Sequence, residues 1–155
     1  MGCCLPAQCA KRVPLKRAST TTDTLSDVEI LRSEFGLFNS PQLGRPAFEP
    51  SLKVPLREGQ GYGWIILLKT KKLKVSWREE LSLPAPAPII GIDQTRGRHT
   101  VSADKMKVTT EREVDLERGY IHNSWAVAAG DPKGLHVLRV YVEGKLARTF
   151  EFETE

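Results

Sequence analysis

Leu138 to Glu153 read LRVYVEGKLARTFEFE, and this stretch decides the fold. Leu138, Val140 and Val142 alternate with Arg139 and Tyr141. Glu143-Gly144 then turns the chain. Beyond it Leu146, Arg148, Phe150 and Phe152 alternate with Lys145, Ala147, Thr149, Glu151 and Glu153. A period of two sends successive side chains to opposite faces of a strand. The stretch therefore predicts a β-hairpin with its Phe face inward and its Glu face in water.

The same period recurs upstream. Asp131-Pro132-Lys133-Gly134 is a turn, because Pro presets φ and Gly tolerates the opposite hand. Tyr120 to Ala129, with Trp125 and Val127, reads as another strand, and Val101, Met106, Val108, Val114 and Leu116 give weaker strand signals. Leu73, Val75 and Trp77 alternate with lysines and Ser76 in a strand running toward Leu83. In GYGWIILLKT, residues 61–70, Tyr62, Trp64, Ile66 and Leu68 share one face and Ile65 and Leu67 the other, as in a central strand. A hairpin around Thr70-Lys71 is expected to join these two strands. Pro55 demotes residues 52–57 to an edge strand. Residues 27–38 form a further strand, with Gly36 expected as a bulge. Residues 39–50 and 84–99 read as loops.

Seven or eight short strands without an amphipathic helix predict a single antiparallel, immunoglobulin-like β-sandwich. The 155 residues suit one domain, and 40% hydrophobic content can furnish a core. We place the sandwich at residues 25–155 and a flexible, basic, Cys-containing tail at 1–24. That tail, MGCCLPAQCAKRVPLKRASTTTDT, lacks hydrophobic periodicity and reads as a disordered stalk. As a coil it spans about 25–30 Å root-mean-square.

Charge divides the same way. Four of the 23 basic residues and one of the 19 acidic residues fall in the tail, leaving the body near neutrality. Nucleic-acid binding is not expected, because it needs a basic face on the folded body. The run Lys69, Lys71, Lys72 and Lys74 reads as solvated surface. All three cysteines, Cys3, Cys4 and Cys9, lie in the tail, so no disulfide framework holds the fold. Zinc, other metals and cofactors are not expected either, since no further ligands stand at the usual spacing.

The tail admits two lipid readings. In the first, Gly2-Cys3 is the end of a lipoprotein signal, and Cys3 carries diacylglycerol as the new amino terminus. This reading requires an export signal upstream of Met1. In the second, Gly2 is myristoylated and Cys3 and Cys4 are palmitoylated, with Lys11, Arg12, Lys16 and Arg17 on anionic lipid. Pro6 argues against the second, because the myristoylation pattern takes Ser or Thr there.

EILRSEFGLF (29–38), VPLREGQGYGW (54–64) and LERGYIHNSWAVAAGDPKGLHVLRVYVEGKLARTFEFE (116–153) together resemble an uncharacterised bacterial family of small exported β-sandwich domains. Tyr141, Gly144, Lys145, Leu146 and Phe150 match that family's closing hairpin. Residues 91–110 match nothing in it. The resemblance implies a sandwich fold and an envelope location, and supplies no catalytic residue.

Candidate chemistry is sparse. Gly59-x-Gly61-x-Gly63 precedes a strand rather than a helix, so it reads as a turn and close backbone approach, not a phosphate loop. His122, Ser124 and Asp131 form a hydrolase triad only on paper, because no nucleophile elbow surrounds Ser124. His136 is expected at the surface or rim. Glu79-Glu80 and Glu111-Arg112-Glu113 read as solvated strand ends. The three tryptophans read as core. Arg96, Arg98 and His99, placed at a loop tip, are the candidate contact for an anion or acidic protein. The exposed edges 52–57 and 146–152 could pair with a partner strand.

These readings converge on a non-enzymatic binding or assembly module of the bacterial envelope, lipid-anchored through Cys3. It would be membrane-tethered, facing the periplasm or the surface, with an envelope protein or a glycan as partner. The competing readings are a cytoplasmic-face adaptor held by acylation and the basic tail, and a hydrolase with an unrecognised site.

Overall fold

The computed structural model describes residues 27–40, 47–88, 97–116 and 118–155. The proposed stalk at 1–24, with Cys3, and the candidate contact residue Arg96 lie outside the described residues. Among those described the chain forms ten strands: β1 (Val28–Phe38), β2 (Phe48–Pro50), β3 (Lys53–Val54), β4 (Gly61–Thr70), β5 (Lys74–Ser82), β6 (Arg98–Val101), β7 (Lys107–Asp115), β8 (Tyr120–Ala126), β9 (Gly134–Val142) and β10 (Lys145–Thr154). They make one sheet in the order β2-β1-β4-β8 and another in the order β3-β10-β9-β5-β7-β6. Every pairing is antiparallel except β3 with β10. The expected all-β, immunoglobulin-like sandwich is the fold of this chain. Strands β2, β3 and β6 span four residues or fewer, too short to register as alternation.

The core lies between the two sheets. Strand β4 contributes Tyr62, Trp64, Ile66 and Leu68, and β5 contributes Val75, Trp77 and Leu81 from the facing layer. The Trp64 and Trp77 rings meet edge to face with centroids 5.1 Å apart. Phe35 of β1 stacks on Phe152 of β10 at 4.4 Å. Aromatic pairs in these geometries add stabilisation beyond the area they bury.

Three local expectations are corrected. Strands β4 and β5 do not form a hairpin. β4 takes β1 and β8 as neighbours while β5 takes β7 and β9, so residues 71–73 carry the chain from one sheet to the other. Alternation identifies a strand's inner face but not its partner. Second, the bulge in β1 is at Leu31, where the register with β4 shifts, and not at Gly36. Gly36 serves close approach instead: a Cβ there would lie 2.2 Å from the Glu49 carbonyl oxygen. Third, β10 shifts register between Leu146 and Arg148. The extra residue, Ala147, reverses the alternation, so Leu146 lies opposite Tyr141 on the outer face, while Arg148, Phe150 and Phe152 lie opposite the inward-facing Val140, Leu138 and His136.

The lysine run is surface, as read. Lys72 pairs with Glu143 at 2.9 Å, and Lys69 and Lys74 lie 3.9–4.0 Å from carboxylates of Glu29, Glu113 and Asp115. The β9–β10 turn has positive φ at both central residues, 49° at Glu143 and 78° at Gly144. That matches the right-handed twist of the flanking strands. Nothing lies within 4 Å of a Cβ built at Gly144. Gly144→Ala therefore meets backbone strain alone, and should cost about 1 kcal/mol in chemical denaturation.

Candidate binding site between the sheets

Three polar side chains of the β4–β8 sheet converge on one carboxylate of the other. Glu79, on β5, is fully buried. Its Oε2 accepts from the Trp64 indole at 2.5 Å and from Asn123 Nδ2 at 3.1 Å, and its Oε1 accepts from the Trp125 indole at 2.6 Å. Indole nitrogens can only donate, so a carboxylate is the matching partner. Burial pushes the Glu79 carboxyl above its ordinary range, while these three donors and nearby His99 pull it back. Glu79 is thus a polar tie across the sandwich. This overturns its reading as a solvated strand end. The register carried the signal: Val75, Trp77, Glu79 and Leu81 occupy one face of β5.

Beside this tie the sheets part around a cavity of about 320 Å³. Its apolar wall includes Leu81, Leu83, Val108 and Val127, and half-buried Trp125. Trp125 is therefore partly core and partly cavity wall, whereas Trp64 and Trp77 are core. The polar wall includes Tyr62, Asn123, Ser124, Asp131 and His136. Strand β8 reaches this position because Gly63 has no side chain: a Cβ there would lie 2.1 Å from the Asn123 carbonyl oxygen.

His136 is buried, not on the surface or rim. Its ring stacks on Phe152 at 4.9 Å. Its Nδ1 lies 3.0 Å from the Gly134 carbonyl oxygen. A carbonyl only accepts, so Nδ1 carries the proton and Nε2 of the neutral ring is an acceptor. Burial lowers the His136 pKa below 6.5, opposed by the Gly134 bond and the Asp131 charge. The unfolded chain then binds more protons than the native one as pH falls below about 6.5. His136 contributes stability that is complete above that value and lost as pH drops toward the lower folded pKa. Glu79 acts in the opposite sense, costing stability as pH rises above the ordinary carboxylate range. The difference between proteins isolates the histidine. Between pH 7.5 and about 5.5, His136→Gln should lose less urea stability than the parent.

Tyr62 is buried and its hydroxyl pKa is raised, by burial first and then by the charges of Asp131 and Glu79. It is therefore a protonated hydroxyl at neutral pH. Asp131 Oδ2 accepts the Ala128 N–H at 2.8 Å, closing the turn before β9.

Arg98 and His99 are strand residues of β6, not a loop tip. Arg98 is exposed, while His99 is half-buried, lies 3.0 Å from the Thr110 hydroxyl and sets its ring edge to face with Trp125. Adjacent strand residues face opposite ways, so the two do not form one patch, and His99 joins the cavity lining. The paper triad is not assembled at one place. Ser124 and Asp131 line this cavity, whereas His122 lines a second pocket of about 270 Å³ with Trp77, Arg112 and Arg118. Among the described residues no group of three or more His, Cys, Asp or Glu is placed to hold a metal ion.

The model of the PM0630 beta sandwich domain family matches residues 33–155. An immunoglobulin-like protein from Pseudomonas aeruginosa superposes with a TM-score of 0.53 at 16% identity, over 83% of this chain and 96% of that one. At that identity the likeness concerns the fold. No curated protein matches the sequence.

Proposed function

The chain belongs to the PM0630 beta sandwich domain family, and from that premise we propose that it is a non-enzymatic binding module of the bacterial envelope, tethered by lipid on Cys3 and receiving its ligand in the cavity between the sheets. One observation carries the binding part. The cavity of about 320 Å³ combines an apolar wall with a few convergent polar groups, the composition of a small-ligand site. The Glu79 tie holds its β8 wall from behind, so the site is pre-formed and little ordering is required on binding.

The edges at β1 and β10 are poorer docking surfaces. Among the described residues the free flanks of β1 and β10 carry bulges at Leu31 and Ala147, with Arg32, Glu34, Lys145 and Arg148 exposed or half-exposed along them. Bulges and charges are devices that oppose strand addition. The tether rests on Gly2-Cys3 and on the stalk composition of residues 1–24.

Each half has its own test. Amide shifts of the full chain, titrated with small neutral fragments, should move together at Asn123–Ala128, Asp131 and His136. Movement confined to β3 and β10 would contradict the cavity reading. For the tether, protein from its native host should yield a membrane-bound form whose first residue is diacylglyceryl-Cys3. Unmodified thiols in the soluble fraction would remove it.

A further inference from the structure

The polar wall of the cavity is unbalanced in charge. Among the described residues no lysine or arginine lines it. Asp131 is partly exposed there, and among the described residues its carboxylate accepts one hydrogen bond, from the Ala128 N–H, and has no cation paired to it. Tyr62, Asp131 and His136 line the same cavity. His136 offers Nε2 as an acceptor, because Nδ1 is committed to the Gly134 carbonyl. The Tyr62 hydroxyl makes no hydrogen bond within the described residues and can accept as well as donate.

This arrangement selects its occupant by desolvation. A molecule that fills the cavity strips water from the Asp131 carboxylate. A neutral occupant leaves that charge uncompensated, and an anionic one adds repulsion. A cationic one pairs with it, and its remaining N–H groups find acceptors at His136 or Tyr62. The apolar wall, with Leu81, Val108 and the Trp125 ring, suits a hydrocarbon stem, and an indole face also attracts a cation.

Resting on the cavity reading above, we propose that this site binds an ammonium group carried on an apolar stem, with the ammonium at Asp131 and the stem along the Leu81–Val108–Trp125 wall. The same chemistry is presented by a free alkylamine and by a lysine side chain of a partner protein.

The test uses the full chain and three probes of equal length: n-hexylamine, n-hexanol and hexanoate. Calorimetry and amide shifts should show hexylamine binding about tenfold tighter than hexanol, the worth of one charged hydrogen-bonded contact, with hexanoate weakest. Asp131→Asn keeps an oxygen for the Ala128 N–H and should shrink the preference to about twofold or less. Asp131→Ser, which can also cap that turn, should do the same, and a melting curve for each variant confirms that it is folded. Nα-acetyl-lysinamide distinguishes the sources. Binding comparable to hexylamine assigns the ammonium to a lysine side chain, and failure beside a binding hexylamine assigns it to a free amine. Hexanol or hexanoate binding as tightly as hexylamine, or a preference unchanged in both variants, would overturn the proposal. If hexanol still moves Asn123–Ala128, the cavity reading stands and only the charge assignment falls. If no probe moves those residues, both fall.

Discussion

Glu79→Ala should destabilise the domain by about 3–5 kcal/mol, the cost of removing one partner from a buried, hydrogen-bonded charge site. Truncation leaves the indole N–H groups of Trp64 and Trp125 without the acceptor they share, and leaves Asn123 without its bond. It also opens a void at a position with no solvent exposure, so water cannot take over the carboxylate's role without entering the core. Glu79→Gln retains one acceptor oxygen but turns an amide donor toward groups that donate. It should cost less, about 1–3 kcal/mol. Urea denaturation of the two variants against the parent checks both magnitudes and their order. Because Glu79 belongs to β5 while its three partners belong to β4 and β8, the loss falls on the contact between sheets rather than on either sheet alone.

Phe152→Ala should cost about 3–5 kcal/mol, as for other large aromatic truncations in a core. Phe152 is 1% exposed. Its ring stacks on Phe35 at 4.4 Å and on His136 at 4.9 Å, and lies 5.5 Å from Tyr62. It therefore joins the end of the hydrophobic core to the polar wall of the cavity. The void cannot collapse readily, because the β9–β10 ladder fixes Phe152 opposite His136. Thermal or urea denaturation gives the loss. In the same variant the His136 ring resonances should shift, since the aromatic face beneath the imidazole is gone.

The elements that the sequence made legible share one physical trait: a period-two pattern longer than about five residues. β4, β9 and β10 are in that class, and their inward faces are as read, apart from the segment displaced by Ala147. Partner choice was not legible. Residues 71–73 are short enough for a hairpin, yet they cross between sheets because both flanks of β4 are occupied by β1 and β8.

The candidate site was legible only in fragments. His99 was singled out, but as a loop-tip residue beside Arg98, whereas strand alternation separates the two. Glu79 carried a usable signal, a carboxylate in the apolar register between Trp77 and Leu81, and Asn123 and Trp125 gave none of joining it. Nothing local tells that residues 44 and 46 positions later on the chain donate to that carboxylate. Long-range side-chain pairing of this kind depends on how two sheets superpose, which alternation within each strand does not encode.

The most direct test of this account reads the three indole N–H protons of the full chain by heteronuclear correlation, with hydrogen exchange and Glu79→Gln alongside. The sheet-to-sheet tie predicts that the Trp64 and Trp125 indole protons are shifted downfield by their carboxylate acceptor. Trp64 should exchange slowly, and both protons should move together in the Glu79→Gln protein. The Trp77 indole, which has no hydrogen-bond partner among the described residues, should move least. Rapid exchange at Trp64 with no displacement of the Trp64 and Trp125 signals on substitution would contradict the tie, and with it the pre-formed cavity wall.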